Sequence, residues 1–91
     1  MNSQKLLIGS LSNDLYRVAE LTQRGSLKAA NKFLDQAGRW VKELQKEDLK
    51  QYIAKIIIDL ASKMKVSKLN SQTAEKYLMY SVLLQNYTLR L

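Results

Sequence analysis

Glu43, Glu47 and Asp48 are the residues of this chain whose spacing comes nearest to coordination chemistry. On a continuing helix Glu43 and Glu47 would sit one turn apart, with Asp48 beside them, and three carboxylates of this kind suit a hard cation. The rest of a metal centre is missing. A dinuclear carboxylate site in a helical bundle draws Glu-x-x-His pairs from facing helices, and the chain contains no histidine. The pattern of the other helices shows no acid facing the bundle. The trio is therefore expected to be solvated surface, with the two later acids favouring the positive end of a following helix. No metal and no cofactor is expected.

The other chemical inventories are equally short. With no cysteine there is no disulfide and no thiolate ligand, and with no histidine the usual base of a nucleophilic triad is absent. Gly9, Gly25 and Gly38 stand far apart, which rules out a glycine-rich phosphate cradle. No catalytic residue and no small-molecule substrate is indicated, and the expectation is a protein that is not an enzyme.

Charge offers more. The chain carries 15 basic and 8 acidic residues, for a net charge of +7. Lys28, Lys32, Arg39, Lys42 and Lys46 fall on one side of a helix, interrupted only by Asp35, and Lys63, Lys65 and Lys68 form a second group. Such a row can be the electrostatic footprint of a nucleic-acid-binding domain or simply a solvated face. Lysine outnumbers arginine in it, no aromatic residue interleaves with it, and no glycine turn leads into a recognition helix. Nucleic-acid binding is thus the alternative function. It would weaken steeply with salt and be abolished by charge reversal at Lys28, Lys32 and Arg39.

The elements that position these residues are helices throughout. A chain of 91 residues, 46% hydrophobic and 25% charged, without proline, is expected to form one helical domain over residues 1–91. The first helix spans about Gln4 to Arg24, with Ile8, Leu7, Leu11, Leu15, Val18 and Ala19 on its apolar face; Gly9 would let its regular part start only near Ser10 or Ser12. Arg24-Gly25-Ser26 punctuates the chain. Glycine closes one helix in the left-handed conformation and serine caps the next, so a tight antiparallel hairpin is expected. The second helix, about Leu27 to Gln45, gathers Ala30, Phe33, Leu34, Ala37, Trp40, Val41 and Leu44 on one face. Gly38 borders that face, which suggests close approach of a neighbouring helix. Trp40 is expected to fill core. A phase slip after Leu44 separates a third helix, about Asp48 to Lys65, although a single continuous helix is the alternative. A polar connection from Val66 to Asn70 leads to a fourth, capped by Asn70 or Ser71. The fold class is an all-α antiparallel up-down four-helix bundle.

The fourth helix has no clean polar face. Tyr77, Tyr80, Leu84, Tyr87 and Leu91 fall on one arc, with Leu78, Val82 and Leu89 roughly opposite. A peripheral helix needs only one apolar stripe. The second implies contact with another molecule, and the tyrosine arc is the expected interface because tyrosine offers large area with a polar tip. The expected function is an interaction or scaffold module, acting as a homodimer or by binding a partner helix. No signal-peptide pattern and no spanning segment is evident, so a cytoplasmic location is expected.

Overall fold

A computed structural model describes residues 3–64 and 68–91. Among them the chain forms four helices, α1 (Ser3–Gln23), α2 (Leu27–Leu44), α3 (Gln51–Lys63) and α4 (Ser71–Thr88). They make the expected all-α up-down bundle, 36 Å long and 23 by 19 Å across. No helix among the described residues is long and apolar enough to cross a membrane.

The ends of the helices follow from local chemistry. Gly25 adopts φ +83°, the region that costs an L side chain most. Its N–H donates to Thr22 O, and the N–H of Ser26 donates to Leu21 O, so two terminal carbonyls of α1 are satisfied at once. Ser26 makes no side-chain cap; its contribution is its carbonyl, which accepts from Ala30 N–H. At α4 the Asn70 side chain accepts from Thr73 N–H at 3.0 Å while Asn70 N–H donates to Thr73 Oγ1 at 2.9 Å. This reciprocal box fixes the start of the helix.

Two boundaries differ from the sequence expectation. α1 runs unbroken through Gly9 from Ser3, since its flanking apolar residues are held by tertiary packing. α2 and α3 are separate helices, as the phase slip indicated, but α3 starts only at Gln51, so Glu47 and Asp48 lie in the connection rather than in a first helical turn. The connection before α4 falls partly on Lys65, Val66 and Ser67, which lie outside the described residues.

α1 is the organising helix, packing along both α2 and α4, whereas α2 and α3 approach each other only sparsely. Ile8, Leu11, Leu15 and Val18 of α1 are completely buried. Around them close Ala37, Val41 and Leu44 of α2, Ile53, Ile57 and Leu60 of α3, and Ala74, Tyr77 and Leu84 of α4. Phe33, Leu34, Trp40 and Leu49 cover the edges of this core.

Candidate interaction surfaces

The outward side of α4 carries a run of uncovered apolar side chains. Leu78, Val82 and Leu89 share one arc of the helix and are exposed, Val82 at 50% and Leu89 at 76%. Met79 and Leu83 extend the surface to one side. On the other side Tyr16 and Asn13 of α1 join Val82 and Asn86 around a shallow cleft over the α1–α4 seam. From Tyr77 to Leu89 the sequence carries no Asp, Glu, Lys or Arg.

The opposite arc is the one expected to meet a partner, and the structure places most of it inside. Tyr77, Leu84 and Tyr87 are buried in the chain's own core, Leu84 completely. Tyr80 is half-buried, and only Leu91, at the chain end, is exposed. Two contacts with α3 hold this arc inward. Tyr80 Oη donates to Asp59 Oδ2 at 2.6 Å, and the Tyr87 ring meets Tyr52 edge-on at 5.7 Å between centroids. With its hydroxyl bonded within the fold, Tyr80 does not need an outer rim. The seam therefore closes α4 onto α3, and the aliphatic arc faces outward.

Asp59 is the hub of that closure. Lys76 of α4 approaches it at 2.6 Å and Lys63 of its own helix at 3.1 Å, in addition to Tyr80. Partial burial pushes the carboxyl up, but the hydrogen bonds from Lys76, Tyr80 and Lys63 outweigh this and hold it down at about 2. Burial and the same carboxylate push the Tyr80 hydroxyl up to about 12. A second inward-facing acid is Asp14 of α1, buried against α2, where it accepts from Trp40 Nε1 at 2.7 Å. Burial pushes Asp14 up from its usual range, against the Trp40 hydrogen bond and nearby Arg17. Trp40, expected to fill core, is partly buried at its edge and supplies this bond. Two helices thus do carry bundle-facing acids, contrary to the pattern-based expectation. They lie in different helix pairs, α1–α2 for Asp14 and α3–α4 for Asp59, and are satisfied by separate donors.

The seam between α1 and α4 holds residues that apolar periodicity gave no sign of. Ser12, Ser81 and Thr88 are buried there. Ser12 Oγ donates to Ser81 O at 2.7 Å, while Ser81 and Thr88 return their hydroxyls to carbonyls three residues back on α4. A serine reaching a main-chain oxygen on the facing helix requires the two backbones to lie close, and small side chains permit it. The available signal was the spacing of Ser81, Thr88 and Ser12 beside apolar arcs.

The carboxylate trio does not assemble. α2 ends at Leu44, so Glu47 does not stack one turn after Glu43, which pairs with Lys46 instead at 3.5 Å. Among the described residues no group of three Asp or Glu is arranged to hold a metal ion. Of the basic row, Lys28, Lys32, Arg39 and Lys42 are exposed on α2, while Lys46 is exposed in the turn after the helix ends. Of the second basic group, Lys63 is committed to Asp59, Lys68 is exposed, and Lys65 lies outside the described residues.

Gly38 does not mark a close helix contact. A Cβ built there would meet no atom within 4 Å. It lies instead on an open groove between α2 and α3.

Comparison with family models, with curated proteins and with solved structures finds no match to this chain.

Proposed function

We propose that this chain is a non-enzymatic interaction module that self-associates through the outward face of α4. The observation that carries the reading is the uncovered arc of Leu78, Val82 and Leu89, flanked by Met79 and Leu83, on a helix already packed on its other side. Monomers rarely leave contiguous apolar surface of this kind without a partner. The chemistry of the face favours a second copy. The chain has a net charge of +7, so most approaches between two copies are repelled. The stretch from Tyr77 to Leu89 is free of charge, and two such faces can meet about a two-fold axis without pairing like charges.

The test is substitution at the surface rather than at the tyrosines. Val82→Glu and Leu83→Glu place a charge on exposed positions, where the fold of the single chain tolerates it. Size-exclusion chromatography with light scattering is expected to show the unmodified chain as a dimer at tens of micromolar and both variants as monomers with unchanged helical circular dichroism. If the unmodified chain and the variants elute alike, α4 is not the contact.

A further inference from the structure

A separate surface lies on the other side of the molecule, and its occupant has a different chemistry. Between α2 and α3 the bundle is incompletely closed, leaving an open groove of about 680 Å³. Its floor is apolar: Leu34 of α2 and Ala61 of α3 are partly exposed in it, over the buried Val41, Leu60 and Met64. Its rim carries Arg39 and Lys42, with Asp35 the one acid. Among the described residues neither Arg39 nor Lys42 has an ion-pair partner within 4 Å. The groove is lined by α2 from Asn31 to Gln45, which at helical rise is about 21 Å, the length of four helical turns.

Gly38 lies on this groove, in the interior of α2. Glycine is the poorest helix former after proline, and a helix normally keeps one in its interior for close approach or for a special backbone angle. Neither applies within this chain: no atom lies within 4 Å of an added Cβ, and Gly25 has the one positive φ among the described residues. What the missing side chain leaves is a clear path for something outside the chain to lie against the α2 backbone.

We infer that the α2–α3 groove receives an acidic amphipathic helix of a partner protein, its apolar side against the partly exposed Leu34 and Ala61 and its carboxylates facing Arg39 and Lys42, with Gly38 as the point of closest approach. The apolar floor is what favours such a peptide over a nucleic acid. A phosphate backbone would use the rim but gain nothing from the floor, and no aromatic side chain lines the groove for a base to stack on. An acidic helix uses both. The surface is independent of the outward face of α4.

The probe is a 14-residue fluorescent peptide with leucines at helical i, i+3, i+4, i+7 spacing and glutamates on the flanks. Two controls are its glutamate-to-lysine counterpart and a single-stranded RNA of equal charge. The full chain is titrated in 50 mM salt, followed by fluorescence anisotropy and by amide NMR shifts. The acidic peptide is expected to bind, with shifts confined to Asn31–Gln45 and Leu60–Met64, and the lysine peptide to fail. Arg39→Glu with Lys42→Glu should weaken binding at least tenfold. Gly38→Ala should raise the melting temperature of the free chain yet weaken binding, and Gly38→Leu should abolish it. Absence of binding by the acidic peptide overturns the inference. So does binding that maps elsewhere, or RNA binding along the same residues in place of the peptide. A lower melting temperature for Gly38→Ala would show that the glycine serves the fold itself, and would equally overturn its role here.

Discussion

Along α1 and α4 the bundle is drawn shut by small side chains, whereas along α2 and α3 it is left ajar. On the first edge Ser12 reaches the main chain of α4 at 2.7 Å, and Ser81 and Thr88 are buried beside it. On the second, a glycine in the middle of α2 has open space above it. The closed edge leaves the aliphatic arc of α4 nothing to pack on within the chain. The open edge leaves Leu34 and Ala61 partly exposed beneath a basic rim. The same short sequence thus offers two unlike surfaces, one neutral and aliphatic, one apolar and cationic. Tightness of packing therefore does not predict which edge is available to a partner: the best-packed pair of helices presents the greasiest outside.

The largest expected effect contrasts two neighbours on α4. Leu84 is fully buried and Leu83 is 41% exposed. In a Val82→Glu background, kept monomeric, Leu84→Ala should cost about 2–5 kcal/mol in urea unfolding, while Leu83→Ala should change stability by less than about 0.5 kcal/mol. Equal costs would mean that the two arcs of α4 are not distinct.

The closed edge itself is tested at Ser12. Ser12→Val removes the bond to Ser81 O and adds bulk where the backbones are close, an expected loss of about 1–3 kcal/mol. A neutral result would mean that α1 and α4 do not depend on small residues at that point.

Acid should act through Asp59. Its folded-state carboxyl is held at about 2, below its usual value of 3.8, so it stabilises the fold above the unfolded value and loses that contribution as pH falls toward 2. Asp59→Asn is therefore expected to lower stability at pH 7 and to flatten the acid limb of the stability curve between about pH 5 and 2. Asp14 has the opposite sign. Its carboxyl is raised in the fold, so it opposes folding at neutral pH and that cost is relieved on acidification. Asp14→Asn should remove the relief while keeping an acceptor for Trp40. Thermal melts of the two variants against pH distinguish the signs.

The smallest effects sharpen the open edge. Gly38→Ala should stabilise the free chain by about 0.5–1 kcal/mol in thermal or urea unfolding, since helix propensity rises and nothing stands in the way. Thr22 Oγ1 is buried without a hydrogen-bond partner, so Thr22→Val should be neutral or stabilising by less than about 1 kcal/mol.

The helices, their number and the hairpin at Gly25 were legible because they depend on periodicity and on glycine's backbone freedom, which are local, although the side-chain cap expected of Ser26 does not form. The break between α2 and α3 was legible from the phase slip after Leu44. The presence of two apolar arcs on α4 was legible from spacing, but which of them faces inward was not. That choice turns on Asp59 and Tyr52, contributed from another helix, and tyrosine's liking for interfaces pointed the wrong way. The small-residue seam was hidden for a similar reason, because Ser12, Ser81 and Thr88 look like polar surface until a facing backbone is placed against them. Gly38 suggested contact, and the contact is absent within the chain.

The central claim is that the outward arc of α4 is covered by a second copy of this chain. Sedimentation equilibrium of the unmodified protein from 1 to 100 μM tests it most directly. The weight-average mass is expected to climb from the 10.5 kDa of one chain to twice that value, with Val82→Glu holding it at the single-chain mass. A mass that stays at one chain across the whole range would contradict the claim.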